Sequence, residues 1–134
     1  MSEIVFRRAG PQDVALVAAI TDAAYAKWVP VIGRKPKPMT ADYHAAIRDH
    51  LVELAYLDDA AVGLIELITA ADHLLLENIA VDPAAHGQGI GRRLMQRVEQ
   101  HAIEMGLPVV RLYTNKAFAT NLGFYRRLGY AIER

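Results

Sequence analysis

Between Leu76 and Met95 an apolar run ends in Val81-Asp82-Pro83. It gives way to His86-Gly87-Gln88-Gly89-Ile90-Gly91-Arg92, which opens a helical pattern. Strand, glycine turn and helix start, in that order, make an anion site. Glycines let the backbone approach a phosphate closely, and the free N–H groups of a first helical turn point at it. Arg92 and Arg93 fall in that first turn, where cations are unfavourable unless an anion lies nearby. The chemistry expected here is the gripping of a phosphorylated ligand.

Spacing excludes the two commonest phosphate loops. A nucleoside-triphosphate loop needs Lys followed by Ser or Thr after its last glycine, and Gly91 is followed by Arg92 and Arg93. A dinucleotide fingerprint needs glycine at its sixth position, which counted from Gly87 is Arg92. The acidic residue expected about 20 positions further on is also missing, since that region reads Val109-Val110-Arg111-Leu112-Tyr113. A second absence bears on mechanism. The chain has no cysteine and its one serine is Ser2, so acyl transfer through a Ser or Cys acyl-enzyme is not expected.

The loop resembles the signature Arg/Gln-x-x-Gly-x-Gly/Ala of the GNAT superfamily of N-acetyltransferases, with Gly89 and Gly91 at the two glycines and His86 at the first position. The preceding NIAVDP and the later TNKAFATNLGFYRRLGY also look like this superfamily. Together these elements cover roughly residues 64–130. The resemblance implies an α/β fold in which a central, mostly antiparallel sheet splays at a parallel strand pair, with helices on both faces. It implies acetyl-CoA as cofactor, the amides of residues 86–92 on its pyrophosphate, and the backbone of Ile79, Ala80 and Val81 along the pantetheine arm. Asn121 would contact that arm, and Tyr125 would protonate the leaving thiolate. Tyr25, Trp28 and Tyr43 belong to the region that covers the acceptor in the family. The implied partner is a small-molecule or peptide amine. A GNAT fold usually closes with one more strand after the Leu-Gly-Tyr turn, whereas this sequence stops at Arg134. The expectation is a shortened chain, ahead of a strand truly missing or an edge supplied by a second copy in a homodimer.

An amine acceptor arrives as an ammonium with a pKa near 10, so a base must take its proton. Glu77, on the strand beside the expected thioester, is the first candidate; Glu66, on the preceding strand, is its rival, and a water chain is the third route. Simple alternation puts Glu77 on one face with Ile79 and Val81, and Asn78 on the other with Leu76 and Ala80. Five histidines (44, 50, 73, 86 and 101) show no His-x-x-x-His pair, so no metal is expected. Arg34, Lys35 and Lys37 read as a solvated loop.

The elements that must position these residues follow from periodicity. A first strand is expected over Glu3 to Arg8, then a helix to about Ala26 with Leu16, Ala19, Ile20 and Ala23 on one face. The segment from Val29 to Met39, carrying Pro30, Pro36 and Pro38, should be irregular, and Thr40 should cap a helix through His50. Three consecutive strands follow, at Val52 to Leu57, Val62 to Thr69 and Leu74 to Val81. Ile90, Leu94, Val98 and Ala102 space a long helix ended by Gly106 and Pro108. A strand at Val109 to Tyr113, a helix at Phe118 to Leu128 and a strand from Tyr130 complete the reading.

With 134 residues the expectation is one domain. Fifteen basic and fifteen acidic side chains cancel, so no bulk field favours nucleic acid or anionic membrane. No run in the sequence reads as a membrane span or signal peptide, and with no cysteine a cytoplasmic location is expected.

Overall fold

The computed structural model describes residues 3–85 and 87–112. His86, Asn121, Tyr125 and the expected elements beyond Leu112 lie outside the described residues. Five strands form one mixed sheet in the order β1 (Ile4–Arg8), β2 (Leu51–Leu57), β3 (Ala60–Thr69), β4 (Leu74–Val81), β5 (Val110–Leu112). The first four are antiparallel neighbours, and β5 runs parallel to β4, pairing Leu74 with Val110 and Leu76 with Leu112. A parallel neighbour requires a crossover, here the helix α4 (Ile90–Met105). The β2–β3 turn uses Asp58 at φ 57, a left-handed conformation that Asp tolerates better than most residues.

Both faces of the sheet are covered. On one, α4 buries Ile90, Leu94, Met95, Val98 and Ala102 against Ile65, Leu67, Leu74 and Leu76, so its four-residue apolar spacing marks its buried face. On the other, α1 (Val14–Tyr25) and α3 (Tyr43–Asp49) pack Val17, Ile20, Tyr43, Ala46 and Ile47 against Val52, Leu54 and Leu64. The buried face of α1 is Val17, Ile20 and Thr21, whereas Ala19 and Ala23 are exposed. The expected face was rotated because α1 is apolar nearly all round, and periodicity alone does not choose a side.

Three local readings are also corrected. Asp42 rather than Thr40 caps α3, its Oδ1 accepting from the amides of His44 at 3.0 Å and Ala45 at 3.2 Å. Thr40 instead closes the preceding 3-10 turn by donating to the Lys37 carbonyl. The segment expected to be irregular begins with a short helix, α2 (Val29–Ile32), with Pro30 in its first turn and Gly33 ending it at φ 75. By length and composition the helical stretch Pro11–Ile32 is long and apolar enough to cross a membrane, contrary to the sequence reading. Here it carries the α1 residues that pack on the sheet.

The register holds the feature that matters most for the site. Glu66 pairs with Asn78 but Leu67 pairs with Leu76, so Glu77 is an extra residue, a β-bulge. Strand alternation changes phase there. Leu74 and Leu76 point into the α4 core, and so do Ile79 and Val81 beyond the bulge. Asn78 and Ala80 face α1 and α3. Leu76 therefore does not share a face with Asn78 and Ala80, as simple alternation required.

Candidate functional site

Beyond Val81 the chain turns tightly. The Asp82 carboxylate accepts from the Ala84 amide at 3.0 Å, and the Asp82 carbonyl accepts from the Ala85 amide at 2.9 Å. Gly87 at φ 82 and Gly89 at φ 73 then adopt left-handed angles that a side chain strains. Gly89 is the N-cap of α4 and offers no side chain to satisfy the helix. Among the described residues, the first-turn amides of Ile90, Gly91 and Arg92 thus have neither an intrahelical nor a side-chain acceptor. Gly87, Gln88, Gly89, Arg92 and Arg93 are all exposed. Among the described residues, ideal Cβ atoms on Gly87 or Gly89 meet nothing within 4 Å, which leaves room for a ligand against the backbone. These donors, the helix dipole and the two arginines fit a phosphate-bearing cofactor.

Gly63 sets how close this helix start comes to the sheet, and sequence reading passed over it. A Cβ there would lie 2.9 Å from the Ala80 carbonyl oxygen and 3.3 Å from Leu94 Cδ1. The side chain is absent because helix and strand occupy its space.

Beside β4, on the α1/α3 face, lies a cleft of about 750 Å³ whose lining includes Tyr25, Tyr43, His50, Glu66, Glu77 and Ile79. Asn78, only 3% exposed, organises its wall. Its Nδ2 donates to Thr21 Oγ1 at 3.2 Å and Tyr43 Oη at 3.1 Å, while its Oδ1 accepts from Tyr25 Oη at 3.1 Å. Tyr25 also reaches the Ile79 carbonyl, at 3.2 Å, and Tyr43 donates to the Pro38 carbonyl at 2.7 Å. Burial pushes the Tyr43 hydroxyl up to about 12, so it serves as a neutral donor that ties the Pro-rich segment to the sheet. Trp28 does not line the cleft among the described residues, and Lys27 Nζ lies 5.2 Å from its ring centroid.

Two buried Glu–His pairs sit on opposite faces of the sheet, and their surroundings differ. On the α4 face, Glu53 accepts two bonds from Arg97, at 2.8 and 2.9 Å, and lies 2.8 Å from His101 Nε2. Burial alone would raise the Glu53 carboxyl, but the bonds from Arg97 and His101 outweigh it and hold it below its ordinary value. In the cleft, Glu66 Oε2 lies 2.7 Å from His50 Nδ1, and among the described residues no arginine bonds to it. Burial, helped by the nearby negative charge of Glu77, raises the Glu66 carboxyl above its ordinary value despite the bond to His50. Arg97 thus clamps Glu53 in an ion pair, whereas among the described residues Glu66 is hydrogen-bonded by His50 alone.

The structure therefore brings Glu77, Glu66, Tyr25 and Tyr43 into one cleft and sets Gly87 to Arg92 at the helix start that follows the same strand. His50 was not singled out from the sequence. It ends α3 one residue before β2, and only the register of Val52 with Glu66 reveals that the two meet.

The sequence matches the model of the acetyltransferase (GNAT) family over residues 17–130. It is 36% identical over 69 residues to an IAA acetyltransferase of Azospirillum brasilense, a match spanning 52% of this chain and 45% of that protein. The chain spans about half the length of the curated relatives it matches. In fold it is similar to the PaiA N-acetyltransferase of Thermoplasma acidophilum solved with coenzyme A, with a TM-score of 0.84 at 20% identity over 98% of this chain and 91% of the other. It is also similar to the aminoglycoside N-acetyltransferase AAC(6')-Iy in complex with CoA, with a TM-score of 0.75 at 16% identity, covering 100% of this chain and 92% of that one.

Proposed function

Because the chain belongs to the acetyltransferase (GNAT) family, we propose that it moves the acetyl group of acetyl-CoA directly to a primary amine within one ternary complex. The observation that carries this reading is the pairing of an open, glycine-built helix start with a carboxylate-bearing cleft on the strand that leads to it. Similarity to proteins described as an IAA acetyltransferase and an aminoglycoside N-acetyltransferase supports the same reaction class.

When bound, acetyl-CoA supplies an activated carbonyl with a thiolate leaving group. The first-turn amides of α4 hold the pyrophosphate, and the backbone of Ile79, Ala80 and Val81 guides the pantetheine arm. Asn121 contacts that arm. Tyr125 donates its phenolic proton to the departing sulfur. A phenol near 10 giving a proton to a thiolate near 8.5 runs mildly uphill, so the site must favour the transfer. The amine enters the cleft beneath Tyr25 and Tyr43, where Glu77 and Glu66 attract its positive charge. The absence of cysteine and of any serine beyond Ser2 supports direct transfer without an acyl-enzyme. The balance of fifteen basic and fifteen acidic groups supports a small or peptide acceptor rather than nucleic acid, and the lack of cysteine supports the cytoplasm as the site of action.

The test is release of free thiol from acetyl-CoA across a panel of primary amines, with wild type and Tyr125→Phe. The enzyme reading expects turnover with at least one amine and its loss in the variant, with acetyl-CoA binding kept. Binding without turnover across the whole panel would make the chain a non-catalytic acyl-CoA-binding module.

A further inference from the structure

His50 and Glu66 form a pair that no sequence motif names. Glu66 is 4% exposed on the floor of the cleft, while the His50 side chain is 30% exposed and lines the same cleft. The Glu66 carboxylate lies 2.7 Å from Nδ1, and a carboxylate can only accept. With Glu66 ionised and the ring neutral, the proton sits on Nδ1 and the Nε2 lone pair is free. Among the described residues Nε2 has no hydrogen-bond partner. We propose that His50 is the general base for the acceptor amine, with Glu66 as the positioning residue that holds its tautomer. This rests on the acetyltransferase reading above.

The proton balance is explicit. The ammonium gives one proton to His50 Nε2, which frees the nitrogen lone pair to attack the thioester carbonyl. The C–N bond forms, the C–S bond breaks, and the second amine proton is lost as the amide forms. The thiolate leaves as thiol by taking the Tyr125 proton, which the second amine proton replaces. His50 returns its proton to solvent. While His50 is an imidazolium, the Glu66 carboxylate behind it offsets the new charge, the division of labour seen in Ser-His-Asp sites.

The surroundings separate this pair from its counterpart on the other face. Glu53 is locked by two bonds from Arg97, whereas the charges around the cleft pair come from several elements and, among the described residues, none clamps it. Asp49 precedes His50 on α3 and pairs with Arg48. Lys37, from the Pro-rich segment, and Glu77, from β4, act on Glu66 in opposite senses. Arg8, from β1, donates to the His50 carbonyl at 3.2 Å rather than to its ring. Glu77, on its bulge, then attracts the ammonium without removing its proton.

Two measurements test the assignment. In protein labelled with nitrogen-15 histidine and saturated with acetyl-CoA, the His50 ring is expected as the Nδ1–H tautomer, and Glu66→Gln is expected to change the tautomer balance. A wild-type Nε2–H tautomer overturns the proposal. With n-butylamine as acceptor, His50→Gln is expected to lower kcat/KM about 100-fold or more and to flatten the ascending limb of its pH profile. Imidazole added to His50→Ala is expected to restore part of that rate. Glu77→Gln is expected to raise KM while keeping the limb. Loss of the limb in Glu77→Gln but not in His50→Gln overturns the proposal and assigns the base to Glu77. A wild type that turns over no primary amine in the panel refutes the acetyltransferase reading, and this inference with it.

Discussion

Asn78→Leu is the perturbation whose consequence the structure specifies most fully. The amide makes three hydrogen bonds, with Thr21, Tyr43 and Tyr25, at 3.1 to 3.2 Å. Each is worth about 1 kcal/mol net. Tyr25 keeps the Ile79 carbonyl and Tyr43 keeps the Pro38 carbonyl, so neither hydroxyl is orphaned. Thr21 is fully buried at 0% exposure, and its hydroxyl oxygen loses the Asn78 N–H that it accepts. Leucine has similar volume and returns part of the loss as apolar burial. The net cost comes to about 2 kcal/mol. For a chain of this length each kcal/mol moves the midpoint by about 4 °C, so thermal unfolding should fall by about 8 °C. Tyr43→Phe should cost less, and the two changes together should cost less than their sum, because they remove one shared bond. Urea unfolding of the four-member cycle measures that coupling. A drop below about 3 °C for Asn78→Leu, or strict additivity with Tyr43→Phe, would refute the idea that this amide ties α1 and α3 to β4.

Gly63→Ala should cost about 1–3 kcal/mol by overpacking, because its Cβ would lie 2.9 Å from the Ala80 oxygen. It should also weaken acetyl-CoA binding by moving the start of α4, which a titration of the variant by thermal shift would detect. Glu53→Gln should cost about 3 kcal/mol near pH 7, the lower end for breaking a buried pair, since the Arg97 side chain is 32% exposed. The folded pKa of Glu53 is lowered, so its contribution is present above the unfolded value near 4.3 and is lost as pH falls through the folded value. Urea midpoints of wild type and Glu53→Gln should therefore converge below about pH 4.

The long helix α4 and the loop before it were legible because both are written locally. Ile90, Leu94, Val98 and Ala102 repeat at a fixed interval, and glycines at left-handed angles have few substitutes. The face of α1 was not legible, because its apolar residues surround the helix, and contacts with the sheet select Val17, Ile20 and Thr21. Thr40 and Asp42 both suit a helix cap, and two residues decide between them only when the turn before α3 is placed. The phase change at Glu77 was hidden for a different reason. A bulge is a relation between two strands, and β4 alone still alternates between buried and partly buried positions. The meeting of His50 with Glu66 depends on the same long-range register.

The most direct measurement is thermal unfolding of the chain with acetyl-CoA, ATP or NAD, each as a single addition. Acetyl-CoA at about 100 times its dissociation constant should add about 2.7 kcal/mol and raise the midpoint by roughly 10 °C, with ATP and NAD giving much smaller shifts. No rise with acetyl-CoA, or an equal rise with ATP or NAD, would contradict the assignment of the α4 helix start to this cofactor.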